Sequence, residues 1–206
     1  EECGLVKMDF LGLKTLTLIK HTEDLIHKKD PSFNAAVIDE EDPKTFSMLC
    51  RGESTAVFQF ESQGMQNILK EAKPSNIEDL VALNALYRPG PMAYIPQFIN
   101  CKLGKQPITY ANPELEEELK TTYGVIVYQE QVMKVAQIIA GYSLGSADIL
   151  RRIMGKKKVA ALEKEKVKFI AGAKALGRSE QHAAEIFEML EPFAGYGFNT
   201  SHAVAY

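Results

Sequence analysis

The chain has 206 residues, of which 46% are hydrophobic and 25% are charged, which is ordinary for a soluble globular protein with a substantial core. No run approaches the roughly 20 apolar residues that cross a bilayer, and three scattered cysteines argue against a zinc site and suit a reducing cytoplasm. The net charge of −3 conceals a cationic segment, residues 151–168, with eight Lys and Arg against two Asp and Glu, which favours one local anion site over a general nucleic-acid coat.

The chain opens with a segment that alternates loosely enough to be a β-strand, residues 5–10. Residues 55–60 and 125–128 are two further candidates for short strands. A polar loop, residues 30–42, is expected to separate the first segment from the rest. Because the first residue is not Met and the last residues resemble a helix that has just begun, both ends are expected to be cut from a longer chain.

Helical signals dominate the rest of the chain. Apolar residues recur at helical spacing, and Asn, Asp, Ser, Pro and Gly stand where helices begin and end. One helix is predicted from Pro43 to just before Gly52, a second begins at the capping box Ser75–Glu78, and a third begins at Pro113. A fourth is predicted over residues 129–140, ended by Gly141, and a fifth from the cap Ser146 to just before Gly155. Two more are predicted over residues 159–176 and 179–190. The expected fold is therefore mainly α, with a short strand-containing lead-in.

Lys7 and Asp9 are the first residues with the character of a site. On a strand, their side chains point to the same face. A carboxylate at a strand end beside a cation suits Mg²⁺ and phosphate, but a Lys and an Asp at this spacing are more often a solvated pair.

The densest cationic cluster is residues 151–158, with Arg151, Arg152, Lys156, Lys157 and Lys158 and no acidic residue among them. It lies at a predicted helix C-terminus, where the macrodipole favours one or two cations. The surplus charges repel each other unless an anion is bound, which favours a triphosphate or a nucleic-acid backbone.

Residues 193–202 place two glycines among three aromatic residues and then begin a helix. Asn199, Ser201 and His202 are hydrogen-bonding residues that suit an anion. An aromatic turn with Asn199 or Thr200 as an ordinary N-cap explains the same pattern equally well.

Arg88 precedes Pro89-Gly90-Pro91 at a predicted helix end. The prolines fix the direction of the chain there. Arg88 is therefore either a structural cation at a helix C-terminus, which is the favoured interpretation, or an anion ligand.

Taken together and in this order, these segments closely resemble the C-family of bacterial replicative DNA polymerases, the alpha subunits of DNA polymerase III. Six separate motifs in one order make chance agreement implausible, and the resemblance covers essentially the whole chain. The matching segments are residues 5–13, 55–62, 87–91, 123–133, 151–158 and 193–202.

The resemblance implies that residues 1–30 are the C-terminal edge of a palm domain and residues 31–206 a helical fingers domain. It implies that Asp9 is the third catalytic aspartate and a metal ligand, with Lys7 beside it. The residues that inherit a nucleotide-binding role are Arg151, Arg152, Lys156, Lys157, Asn199, Ser201 and His202, and less directly Arg88 and Lys158. One departure is Thr200, where the family commonly has Lys, which leaves a phosphate contact from that position open.

The implied reaction is two-metal nucleotidyl transfer with Mg²⁺, as part of a DNA-directed DNA polymerase. The implied partners are primer–template DNA, deoxynucleoside triphosphates and, through parts of the parent outside this chain, replicase subunits such as the sliding clamp. No membrane partner is expected. Because the sequence contains no Asp-x-Asp motif, its metal site is incomplete, and the chain alone is expected to be inactive.

Two other classes of function compete with this one. A non-catalytic helical module could bind DNA or a replisome partner through the basic segment, but it has no need of Lys7 and Asp9 or of the Gly-rich aromatic loop. A small nucleotide-binding regulator ranks last, because the sequence has neither a Gly-x-x-x-x-Gly-Lys loop nor a dinucleotide fingerprint.

Overall fold

The computed structural model describes residues 4, 5, 8, 10–155, 159–194 and 197–206, and the chain divides into two units, residues 1–40 and 41–206. The predicted mainly α fold is confirmed. In the described residues the α-helices are α1 (Thr15–Ile26), α2 (Pro43–Cys50), α3 (Gln63–Ala72), α4 (Ile77–Leu86), α5 (Ile95–Lys102), α6 (Glu116–Leu119), α7 (Gln129–Ala140), α8 (Leu144–Gly155), α9 (Val159–Ala175), α10 (Glu180–Ala194) and α11 (Thr200–Ala205). Short 3-10 turns lie at Ala35–Val37, Pro91–Tyr94, Pro113–Leu115 and Lys120–Thr122. Over this described part, no helix is both long and apolar enough to cross a membrane.

The first unit consists of α1 and a turn that is bonded to it. The Glu23 carboxylate accepts a hydrogen bond from the Ala35 amide at 3.2 Å, and His27 Nε2 lies 2.6 Å from the Phe33 carbonyl oxygen. The predicted strand over residues 5–10 is not shown, because Val6, Lys7 and Asp9 lie outside the described residues and Leu5, Met8 and Phe10 form no strand.

The second unit contains two hydrophobic cores. The first core is formed by α2, α3, α4 and α5, with Leu83 and Phe98 fully buried in it, and Ala203 of α11 also packs there. The second core is formed by α7, α8, α9 and α10, where the Phe169 and Phe187 rings meet edge to face at 5.4 Å.

Residues 125–128 contribute side chains to both cores. Val125 and Val127 pack in the first core and Ile126 in the second, which is the alternation of a strand. The predicted strand is nevertheless wrong, since the segment makes only an isolated parallel bridge, Tyr128 to Phe198, among the described residues. This bridge brings the start of α7 against the segment that leads into α11.

Several helix boundaries agree with the prediction. Asp42 caps α2 by accepting a hydrogen bond from the Thr45 amide at 2.8 Å. α7 has the predicted bounds, and Gly141 ends it at φ 68°, a left-handed conformation that glycine adopts without a steric penalty. α10 was predicted over residues 179–190 and runs from Glu180 to Ala194, so it ends four residues later than predicted.

Two predicted caps are wrong by one and three residues. Asn76, not Ser75, caps α4, because its side chain accepts a hydrogen bond from the Asp79 amide at 2.8 Å. Ser143, not Ser146, lies at the start of α8, where its hydroxyl accepts a hydrogen bond from the Ser146 amide at 3.2 Å. Both stretches contain neighbouring residues that can cap equally well.

The predicted strand at residues 55–60 is also wrong, because the segment forms turns. Ala56 and Gln59 have φ values of 64° and 69°, which break an extended strand. The buried Ser54 hydroxyl donates to the Phe60 carbonyl at 2.6 Å and closes the loop.

Candidate functional site

Arg152 lies in the last turn of α8 and Arg151 directly precedes it, and both contact the same carboxylate. Arg151 donates to Asp148 Oδ1 through Nε at 3.0 Å and through Nη2 at 2.7 Å. Arg152 Nη2 lies 2.8 Å from Asp148 Oδ2. Asp148, one turn earlier on the helix, therefore binds both guanidinium groups.

The same carboxylate has a strongly cationic environment. Hydrogen bonding to Arg151 and the nearby charges of Arg151 and Arg152 lower the pKa of Asp148 below its ordinary value. Asp148 is therefore ionised at neutral pH and offsets part of the repulsion within the cluster. Sequence reasoning missed it because it lies just upstream of residues 151–158, although its spacing from both arginines is a recognisable helical signal.

The first turn of α7 contacts this arginine pair. Gln129, the first residue of α7, accepts a hydrogen bond from Arg151 Nη1 through Oε1 at 3.0 Å. Arg151 is thus held on two sides, and its side chain is only 24% exposed, whereas that of Arg152 is 66% exposed. Arg152 is the arginine of the pair that faces solvent.

The next residue of α7, Glu130, contacts the start of α11. Its carboxylate accepts hydrogen bonds from Asn199 Nδ2 at 3.0 Å, the Thr200 hydroxyl at 3.0 Å and the Thr200 amide at 3.3 Å. Asn199 also caps α11 by accepting a hydrogen bond from the His202 amide at 3.1 Å. The Asn199 side chain therefore acts as the N-cap that the sequence pattern offered as one of its two explanations.

An aromatic contact series continues from this point. The Arg88 guanidinium lies over the Phe198 ring at 4.2 Å, and Arg88 Nε donates to the Ala85 carbonyl at 3.0 Å. Phe198 meets the His202 ring edge to face at 5.1 Å. Burial lowers the pKa of the Arg88 guanidinium, and its contacts with Phe198 and Ala85 agree with a structural role at the end of α4.

Gln131 fixes the first turn of α7 from behind. Its buried side chain accepts hydrogen bonds from the Val127 and Tyr128 amides at 2.8 and 3.1 Å. It donates to the Glu118 carbonyl at 3.2 Å and to the Thr122 hydroxyl at 3.0 Å. All four hydrogen-bonding positions of this amide are used, so the turn has little freedom to shift.

The structure brings several predicted site residues around the start of α7 but does not describe all of them. Arg151 and Asn199 contact α7 directly. His202 packs against Phe198, which bridges to Tyr128 just before α7. Ser201 and His202 are exposed. The predicted site residues that lie outside the described residues are Lys7, Asp9, Lys156, Lys157 and Lys158.

Gln129 and Glu130 were not predicted as site residues, although they lie in a segment that carries the family resemblance. Their role depends on partners 22 to 70 positions away in the chain, which helical spacing does not reveal. As for a metal, the described residues contain no group of three or more His, Cys, Asp or Glu side chains arranged to hold one.

A family model described as "Bacterial DNA polymerase III alpha subunit finger domain" matches residues 15–177. The chain belongs to this finger-domain family. The match confirms the resemblance inferred from the motifs, and the helical second unit fits a fingers domain. The boundary predicted at residue 30, between palm and fingers, stays a prediction.

The similarity to relatives of this finger-domain chain extends over its full length. The DNA polymerase III subunit alpha of Borreliella burgdorferi is 64% identical over 206 residues, and that of Treponema pallidum is 62% identical over 209 residues. The corresponding subunit of Bacillus subtilis is 50% identical over 207 residues. Each alignment covers 100% of this chain but only 18% or 19% of the relative, so the chain spans about a fifth of the proteins it matches.

Proposed function

We propose that this chain is the nucleotide-binding fingers part of a bacterial DNA-directed DNA polymerase. The observation that carries the proposal is the arginine pair near the C-terminal end of α8, in a chain of the finger-domain family. Its ligand is proposed to be the triphosphate of the incoming deoxynucleotide, and its wider partners primer–template DNA and other replicase subunits, including the sliding clamp, through other parts of the parent protein.

Arg152 is proposed to make the leading contact with the triphosphate. Its guanidinium is mostly exposed and bonds Asp148 through Nη2, so its other N–H groups face solvent and match the geometry of phosphate oxygens. Asp148 fixes the direction of the side chain before the nucleotide arrives. A pre-oriented guanidinium loses less conformational entropy on binding than a free one.

Arg151 is proposed to support Arg152 and to add positive charge. It is held by Asp148 and Gln129 and is only partly exposed, so it has less freedom to follow a ligand. Lys156, Lys157, Ser201 and His202 keep the nucleotide-binding role that the resemblance implies, as proposals. Lys158 is open to a nucleotide or a DNA contact.

Asp9 is proposed as the carboxylate of this chain that holds a divalent metal, with Lys7 as its neighbour. Mg²⁺ at such a site activates a primer 3′-hydroxyl and neutralises the triphosphate. One carboxylate does not complete a two-metal site, and the other ligands are proposed to come from elsewhere in the parent.

The test of the nucleotide role is Arg152→Ala in the full-length parent polymerase. A charge-assisted contact with phosphate contributes about 1.5–3 kcal/mol, so the efficiency of nucleotide incorporation should fall roughly ten-fold or more. The matched control is Arg51→Ala, which removes another exposed arginine at a helix end, ion-paired with Glu53 at 2.7 Å. Arg51→Ala should leave nucleotide KM within two-fold of wild type.

The competing function, a helical module that tracks the DNA backbone, makes the opposite prediction for the same protein. Each phosphate contact that is removed should flatten the log–log salt dependence of duplex affinity by about one unit. An unchanged nucleotide KM in Arg152→Ala, together with a flatter salt dependence, would refute the nucleotide assignment.

The metal role of Asp9 is tested separately by Asp9→Asn in the full-length parent. The amide keeps the shape of the side chain and removes its charge, so turnover should fall by orders of magnitude while DNA affinity stays the same. A rate within a few-fold of wild type would make Asp9 an ordinary residue of the lead-in.

A further inference from the structure

Three consecutive polar residues, Gln129, Glu130 and Gln131, begin α7, and each bonds a different part of the second unit. Gln129 bonds Arg151 of α8, and Glu130 bonds the start of α11. Gln131 bonds the chain before α7 and the region around α6. One helical turn therefore contacts both segments that are proposed to bind the nucleotide.

Glu130 places a negative charge on the turn that contacts both proposed nucleotide-binding segments. A carboxylate near a proposed triphosphate site repels the ligand unless its charge is engaged by other groups. At a helix N-terminus an acid is favourable, but Glu130 also accepts three hydrogen bonds from Asn199 and Thr200. Its two oxygens are thus directed at α11.

Thr200 is one of the hydrogen-bond donors to Glu130. Its hydroxyl and its amide both bond Glu130 Oε2, at 3.0 and 3.3 Å. The Thr200 side chain is therefore directed to α7 and fixes the start of α11.

Gly197 packs closely against the first residue of α7. A Cβ added to Gly197 would lie 3.0 Å from Gln129 Cγ and 3.0 Å from the Phe193 carbonyl oxygen. Backbone hydrogen bonds flank this contact, from the Gln129 amide to the Phe198 carbonyl at 3.0 Å and from the Phe198 amide to the Val127 carbonyl at 3.2 Å. The chain entering α11 is thus fixed by both backbone and side-chain contacts.

We infer that Glu130 is a positioning residue for nucleotide binding, which holds the start of α11 in register with the arginine pair of α8. The inference rests on the proposed function. Glu130 acts through Asn199 and Thr200 and does not itself touch the nucleotide. Through Gln129 on the same turn, the position of α11 is coupled to that of Arg151.

The test uses the full-length parent polymerase with Glu130→Ala, which removes the acceptor, and Glu130→Gln, which keeps one oxygen and removes the charge. Glu130→Ala should raise nucleotide KM about ten-fold, because all three hydrogen bonds are lost. Glu130→Gln should raise it by a smaller factor, because the amide oxygen can still accept from Thr200 while the amide nitrogen cannot accept from Asn199. Values of kcat per active site and DNA affinity should stay within about two-fold of wild type.

The matched control is Glu180→Ala, which removes an acid from the first turn of α10 that pairs with Lys174 at 2.9 Å. It should leave nucleotide KM unchanged. If Glu130→Ala lowers only the melting temperature, and nucleotide KM of the folded enzyme stays at the wild-type value, Glu130 is merely structural and the inference is wrong.

Thr200→Val keeps the test decisive if Glu130→Ala fails to fold. Valine has nearly the shape of threonine and removes only the hydroxyl that donates to Glu130. Thr200→Val should raise nucleotide KM several-fold. The double variant with Glu130→Gln should raise nucleotide KM by less than the product of the two single fold-changes. Full multiplicativity of the two effects would contradict the proposed contact.

Arg152→Ala separates a failure of this inference from a failure of the proposed function. If Arg152→Ala raises nucleotide KM and the Glu130 variants do not, only the positioning role is lost. If Arg152→Ala itself leaves nucleotide KM unchanged, the proposed function fails first.

Discussion

Replacing Gln131 by leucine should destabilise the fold through the start of α7. The wild-type side chain is 3% exposed and makes four hydrogen bonds, to Val127, Tyr128, Glu118 and Thr122. Leucine has a similar volume but neither donors nor acceptors. Gln131→Leu therefore leaves four polar groups with one partner fewer, in a region from which water is largely excluded.

The magnitude follows from the two amides that lose their acceptor. A buried donor left without a partner costs about 1–3 kcal/mol, and the Val127 and Tyr128 amides are both in this position. Thr122 loses less, because its hydroxyl can still donate to the Leu119 carbonyl at 3.3 Å. Allowing for the apolar gain of a buried leucine, we expect a net loss of about 2–5 kcal/mol, a large part of the 5–15 kcal/mol typical of a domain.

The assay is urea unfolding of the 206-residue chain, with amide hydrogen exchange at Val127 and Tyr128 as a local readout. Gln137→Leu is the matched control, because Gln137 lies two turns later on α7, is half-buried and has no side-chain hydrogen bond in the described residues. It should change the free energy of unfolding by less than about 1 kcal/mol. A loss below about 1 kcal/mol for Gln131→Leu, with unchanged exchange at both amides, would refute the reasoning.

Two further predictions concern packing and pH. A Cβ added to Gly172 of α9 would lie 2.2 Å from the Ala140 carbonyl oxygen, so Gly172→Ala should lower the free energy of unfolding by about 2–4 kcal/mol. In the same urea assay, Gly145→Ala in α8, which meets nothing within 4 Å, should be neutral or stabilising, and equal effects of the two would contradict this. Burial raises the pKa of the Glu118 carboxyl, so the folded chain holds its proton more tightly than the unfolded chain does. The free energy of unfolding therefore falls as pH rises from the unfolded pKa through the raised pKa. Glu118→Gln should therefore increase the urea midpoint at pH 7 and lose its advantage below about pH 4, and an advantage independent of pH would exclude titration as its cause.

The fold was predicted well where local signals agree. α7 was predicted with its correct bounds, because an apolar stripe and a terminal glycine point to the same helix. α1, α3 and α5 were not predicted, although Ser62 caps α3 by accepting from the Met65 amide, a pattern visible in the sequence. Residues 125–128 show the opposite error, because their alternation reflects two helical cores and not a sheet.

The sequence singles out several of the candidate site residues but not the contacts that join them. Arg151 and Arg152 stood out by charge density, and Asn199 by its position before a helix. The links that join them, Glu130 to Asn199 and Gln129 to Arg151, cross long stretches of sequence. A single sequence contains no signal for such pairs, because an isolated Gln or Glu at a helix start is ordinary on local grounds.

Nucleotide binding without chemistry tests the proposed role of α8 most directly. A primer that ends in a dideoxynucleotide forms a complex with the full-length parent polymerase that can bind the next deoxynucleoside triphosphate but cannot extend. In this complex, Arg152→Ala should weaken the Kd of the correct triphosphate about ten-fold or more and leave the Kd of the primer–template within about two-fold. An unchanged triphosphate Kd would contradict the proposal that the arginine pair of α8 binds the incoming nucleotide.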